Sequence, residues 1–215
     1  ALDCEPIPAA LLHTKTIGAV TQTGANSFNV TYTLRVENTG GTPTNYTLTD
    51  TPVFGSGVVI ASATSAKNGG GASAVSLTNG SPTTLATGAS LSAGGVDTYL
   101  VSVNFTLDEA ALIAAPPEND DCTMAITETR TGLYNNSQVS TTTQTVSSNA
   151  CAPIPALLKI TKTIEDVATP VSGNTYQTRY YLTVDNLGGS ATSYNLSDVF
   201  GYESDVSNVS VVSVT

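Results

Sequence analysis

The chain holds no tryptophan, one methionine, one histidine and three cysteines in 215 residues, and only 11% of its residues are charged. Each scarcity excludes something. Seven Lys plus Arg stand against seventeen Asp plus Glu, so the net charge is -10 and the pI is near 4.2. No basic stripe exists to neutralise phosphates, which excludes a nucleic-acid partner and disfavours an anionic membrane surface. No run of eighteen apolar residues occurs, so no segment reads as a membrane-spanning helix, and no signal peptide is recognisable. The cysteines lack any C-x-x-C or Cys/His spacing for a metal. With so few charges, solubility falls to Thr, Ser, Asn and Gly, a composition of secreted β-proteins.

What the chain does have is a repeat. Cys4-Glu-Pro-Ile-Pro-Ala-Ala-Leu-Leu-His-Thr-Lys-Thr-Ile17 returns as Cys151-Ala-Pro-Ile-Pro-Ala-Leu-Leu-Lys-Ile-Thr-Lys-Thr-Ile164, identical at ten of fourteen positions without a gap. After one inserted residue, Tyr32, Leu34, Val36, Asn38, Gly40, Gly41, Tyr46, Leu48 and Asp50 recur as Tyr180, Leu182, Val184, Asn186, Gly188, Gly189, Tyr194, Leu196 and Asp198. A period near 147 residues is too long for a solenoid coil and right for a domain. The expected organisation is a complete domain over 1–150, with a Pro-Ile-Pro entry segment at 4–9, and the first part of a homologous domain over 151–215.

Strand signals dominate, with period-2 alternation at Leu11–Ile17, Phe28–Val36, Tyr46–Asp50 and Tyr99–Leu107. Val58–Ala63 and Ala74–Leu77 are weaker strands. Cys122–Arg130 and Tyr134–Val146 read as the last two. Asp108–Ala115 reads as a short helix stopped by Pro116 and Pro117. The expected fold class is all-β, with tandem immunoglobulin-like β-sandwich domains and the second copy incomplete in this chain. Half a sandwich exposes an apolar face and a sheet edge. Either the chain is a window on a longer array, or another chain donates the missing strands. The copy starts in register and then runs out, which favours the window.

On the repeat, Cys4 and Cys151 occupy one position, at the entrance to each domain. A Cys122–Cys151 disulfide would staple each domain to the start of the next, and Cys4 would pair with an equivalent cysteine outside this chain. Such bonds belong to an oxidising compartment. Three unrelated buried thiols are the alternative.

The run Lys15-Thr-Ile17, then Phe28-Asn-Val-Thr-Tyr-Thr-Leu-Arg-Val-Glu-Asn-Thr-Gly-Gly41, then Asn45-Tyr-Thr-Leu-Thr-Asp-Thr-Pro52, resembles a known family. It is similar to the conserved-repeat, Ig-like domain of unknown function found in tandem in bacterial and archaeal surface proteins. Gly94–Val103 and, more loosely, Asn136–Val139 match later parts of that pattern. The resemblance implies stalks, adhesins and surface filaments. The paired cysteines and the Pro-Ile-Pro segments are not general features of the family.

Several residues invite chemistry. Sequons at Asn29, Asn45, Asn79, Asn104, Asn135, Asn195 and Asn208 are glycosylation candidates, several at outward positions of alternating strands. Lys15 and Lys162 sit in equivalent first strands. Related Ig-like surface domains join such a lysine to a last-strand asparagine beside a carboxylate, which makes Lys15, Asn136 and Glu128 isopeptide candidates, with Asp50 as an alternative acid. Glu118, Asp120 and Asp121 form an acidic loop, a calcium candidate without a regular ligand spacing. His13 has Ile160 as its counterpart, so it reads as a packing position. No catalytic set and no cofactor is expected. The expected function is a structural segment of an extracellular, cell-surface filament or stalk, with neighbouring copies as head-to-tail partners and no nucleic acid or direct membrane insertion. A pilin-like subunit assembling by strand exchange is the first alternative, and an adhesin binding cell-surface glycans the second.

Overall fold

The computed structural model describes residues 5–115, 117–124, 126, 128–165 and 167–214. Cys4 lies outside the described residues, and so does the side chain of Glu118. The chain is an all-β sandwich over its first 150 residues. The strands are β1 (Leu11–Ile17), β2 (Thr21–Gly24), β3 (Ser27–Asn38), β4 (Thr44–Pro52), β5 (Val58–Lys67), β6 (Ser73–Val75), β7 (Thr83–Leu91), β8 (Val96–Leu107), β9 (Asn135–Ser140) and β10 (Thr145–Ala150), with one short helix, α1 (Glu109–Ala114), after β8. One antiparallel sheet has the order β1-β3-β8-β5-β6, with β2 beside β3, and the other β10-β9-β4-β7.

Alternation decides the core. Along β3, Phe28, Val30, Tyr32, Leu34 and Val36 are buried while the residues between them are half-exposed. β8 pairs with β3 and repeats the pattern with Tyr99, Val101, Val103, Phe105 and Leu107. Tyr46, Leu48 and Val139 face them from the second sheet. A strand whose inward positions are all large and apolar cannot slip by one residue without turning that set into water, so the register is fixed. Burying each such side chain contributes roughly 1.5–3 kcal/mol. The Asp108 carboxylate caps α1 by accepting from the Ala111 N–H.

Three sequence expectations are corrected. The described residues of Cys122–Arg130 form no strand, and Ile126 lies in solvent; residues 125 and 127 lie outside the described residues. Tyr134–Val146 is two strands, because Thr141 makes a tight turn there: its hydroxyl oxygen accepts from the Gln144 N–H at 2.9 Å. β7 has the sequence Thr-Thr-Leu-Ala-Thr-Gly-Ala-Ser-Leu, without alternating large residues, and gave no strand signal.

β11 (Leu158–Ile164) pairs with β14 (Tyr180–Asn186) in the second repeat, and β12 (Thr169–Ser172) pairs with β13 (Thr175–Gln177). The β11–β14 register sets Lys162 opposite Leu182, as β1–β3 sets Lys15 opposite Leu34. Fine geometry recurs too. Asn38 Oδ1 accepts from the N–H groups of Ala10 and Gly40, and Asn186 Oδ1 accepts from those of Leu157 and Gly188. Gly40 and Gly188 are required by contact: a Cβ would lie 2.1 Å from the Pro8 carbonyl oxygen in one case and 2.0 Å from that of Pro155 in the other. Residues 191–214 form no strand, and Tyr194, Leu196, Val199 and Val212 are exposed, because no second sheet packs on β11 and β14.

Candidate functional site

Leu11, His13 and Lys15 take the inward positions of β1, so a histidine and a lysine enter the interior. β1 hydrogen-bonds to β3 in the first sheet, but it also meets β10 of the second. The Leu11 and Lys15 N–H groups donate to Gln144 Oε1 and Ser148 Oγ, each at 2.9 Å. That closure brings Lys15 against β4 and β9.

Lys15 Nζ donates to Asp50 Oδ1, and neither side chain has any surface exposed to water. The other carboxylate oxygen, Oδ2, accepts from Asn135 Nδ2 at 3.0 Å. Lys15 Nζ also lies 5.1 Å from the Tyr32 ring centroid, and the Tyr32 hydroxyl donates to the Leu133 carbonyl at 2.7 Å. Burial brings the Lys15 amine down to about 8, against the opposing attraction of Asp50. Burial likewise pushes the Tyr32 hydroxyl well above its ordinary value. Asn135 Oδ1 is buried and has no hydrogen-bond partner. An unmet buried acceptor costs about 1–3 kcal/mol.

His13 caps the cluster. Its Nδ1 is 3.1 Å from the Arg35 carbonyl oxygen and its Nε2 is 2.7 Å from Ser137 Oγ. Burial and the nearby Lys15 lower its pKa, so the neutral ring is favoured. Of the expected isopeptide candidates, the structure sets Lys15 against Asp50, whose other carboxylate oxygen holds Asn135, and places Asn136 and Glu128 elsewhere. Asn136 pairs its backbone with Thr51 and Asn149, and strand alternation turns its side chain to the face opposite Asn135. Glu128 lies in the loop before β9, where its carboxylate accepts from Asn119 Nδ2 at 3.5 Å. The acid in place is Asp50 and the amide is Asn135. The sequence signal for Asn135 was available: Asn135, Ser137 and Val139 share the inward face of β9.

The joint between the repeats is the second feature. Cys122 and Cys151 form a disulfide with Cα atoms 5.8 Å apart. Three residues on, Ile154 of the Pro153-Ile-Pro155 segment is fully buried and belongs to the first sandwich's core. Its N–H donates to the Asp120 carbonyl at 2.8 Å, and its carbonyl accepts from the Ser190 N–H at 3.0 Å. The Pro153-Ile154-Pro155 segment thus plugs the first sandwich. Ile7, at the same place in Pro6-Ile-Pro8, is 72% exposed.

The sequons divide by burial. Asn45, Asn104, Asn195 and Asn208 are exposed, and Asn29 is half-buried in a hydrogen-bonded ladder with Ser102 and Asn104. Asn135 is enclosed and cannot carry a glycan. Asn79 clamps Phe54, accepting from its N–H at 2.8 Å and donating to its carbonyl at 3.0 Å, so its amide is engaged. In the acidic loop, Asp121 Oδ1 accepts from the Thr123 N–H at 2.6 Å, a turn bond, and Asp120 gives its carbonyl to Ile154. Among the described residues no group of three or more His, Cys, Asp or Glu is placed to hold a metal. Comparison with known proteins finds no matching family model and no matching curated relative.

Proposed function

We propose that the chain is a segment of the shaft of an extracellular surface filament or stalk, in which Ig-like sandwiches follow one another head to tail. The observation that carries this reading is the joint. Ile154 fills a seat in the preceding sandwich, and Cys122–Cys151 locks the same junction covalently. The same Cys-x-Pro-Ile-Pro motif stands at the start of the first sandwich, with Ile7 exposed and ready for an equivalent seat in a preceding copy. A plugged and disulfide-bonded junction resists bending, which suits a rod better than a string of beads. Exposed sequons such as Asn45 and Asn195 would give this poorly charged surface a hydrated coat, and the disulfide suits an oxidising exterior.

A second reading has its own support. The exposed apolar residues of the second repeat would accept a strand donated by a neighbouring subunit, the mode of a pilin-like assembly. Immunogold labelling of intact source cells, with antibody raised against the first sandwich, tests the reading. Regular label along surface filaments supports it, and label confined to the cell interior would sink it. The mass of the extracted filament under denaturing, non-reducing conditions separates the two assemblies: a covalent array runs far above 22 kDa, whereas strand-exchanged subunits fall apart into single chains.

A further inference from the structure

We propose that Lys15 and Asn135 are joined by an intramolecular isopeptide bond, formed with Asp50 as the proton carrier. Asp50 touches both partners, one through each carboxylate oxygen. They come from strands of opposite sheets, β1 and β9, so the sandwich must fold before they meet. The site is dry: the Lys15 and Asp50 side chains are wholly enclosed and Asn135 is completely buried. A structural asparagine in such a place has both ends satisfied. Here the carbonyl end is free, able to take the proton that polarises it toward attack.

The chemistry balances with the groups present. Proton transfer from the Lys15 ammonium to Asp50, across their direct hydrogen bond, yields a neutral amine and a neutral acid. Burial favours the neutral form of the Lys15 amine. Nζ then attacks Cγ of Asn135, and the electron pair of the C=O bond moves onto Oδ1. Asp50 takes a proton from the attacking nitrogen and delivers one to Nδ2, which it already touches. The Cγ–Nδ2 bond breaks as the Oδ1 electron pair returns, and ammonia leaves with the proton that Asp50 still holds. In sum, one ammonium side chain and one primary amide become a secondary amide and an ammonium ion, and Asp50 is regenerated.

The arrangement is not an accident of one contact, since its first two members recur. Lys162 Nζ lies 2.6 Å from Asp198 Oδ1 and 4.7 Å from the Tyr180 ring centroid. In that copy the two side chains are 36% and 30% exposed, so the desolvation that drives the first site is lacking there. The bond in the first sandwich would tie its first strand to its last hairpin and clamp the two sheets together, whatever assembly the chain enters.

The test is the denatured mass of the full chain after reduction. The expected result is a mass below the sequence value by one ammonia, with a branched peptide linking Lys15 to Asn135 after proteolysis. Lys15→Arg and Asp50→Asn are each expected to restore the full sequence mass. The proposal is overturned if folded wild-type protein, with β circular dichroism and protease resistance, has the full sequence mass. It is equally overturned if the loss maps to Asn68 or Asn79, each followed by glycine, where a succinimide forms instead. The wild-type mass and its mapping decide the matter even if a variant fails to fold.

Discussion

Gly55 and Ile154 are neighbours across the joint: a Cβ on Gly55 would lie 3.1 Å from Ile154 Cδ1 and 2.1 Å from the Asn119 carbonyl oxygen. The first sandwich is therefore shaped around a residue that the sequence assigns to the next repeat. Ile154→Ala should cost about 2–5 kcal/mol, the range for truncating a buried isoleucine. Ile7→Ala should cost far less, because Ile7 is exposed in this chain. Urea unfolding of the two variants checks this, and equal losses would refute the plug.

The disulfide closes a loop with a sequence separation of 29 residues. Constraining the unfolded chain in this way contributes about 3–4 kcal/mol in the loop-entropy account. Cys122→Ser with Cys151→Ser should lower the urea midpoint by the corresponding amount. Limited proteolysis should then begin near Cys122, once its tie to Cys151 is gone. An unchanged midpoint would mean that the backbone bonds around Ile154 suffice.

Stability should fall as the solution is acidified through the ordinary histidine range. His13 has a lowered pKa in the folded state, chiefly because it is buried, while the unfolded chain binds its proton near 6.5. Between those two values the unfolded state holds more protons, so the penalty appears as pH falls below about 6.5 and grows until the folded-state pKa is reached. His13→Ile, the residue of the second repeat, should flatten the slope of unfolding free energy in that window. If the slope of the variant matches the wild type, His13 is not its source.

Glycopeptide mapping of material from the source should separate the sequons by their burial. Asn45 and Asn195 are open to a transferase and are the expected sites. Asn135 should be bare on every molecule, and Asn79 should be bare wherever the Phe54 clamp has formed first. A glycan on Asn135 would be incompatible with its enclosure inside the sandwich.

Much of this fold is legible in the sequence where periodicity carries the information. β1, β3 and β8 alternate cleanly, because each has one face against the core and one against water. The Asp108 cap and the double proline after α1 mark the helix by local chemistry alone. Legibility fails where the deciding partner is distant. β7 is a strand because β4 lies beside it, not because its small and polar residues prefer one. Cys122–Arg130 alternates, yet its described residues pair with no strand.

The candidate site follows the same division. The sequence by itself determined that a lysine and an acid recur together in both repeats, that a Cys-x-Pro-Ile-Pro motif opens each, and that a β-sandwich would result. These are properties of spacing, and spacing is written along the chain. Only the tertiary structure decided that Asp50 and Asn135, rather than Glu128 and Asn136, stand beside Lys15. A strand's alternation fixes which face a residue takes, but the packing of one sheet on the other fixes what it meets there. The same packing buried Ile154 among the core residues of the first sandwich, a placement that the repeated Pro-Ile-Pro spelling does not disclose.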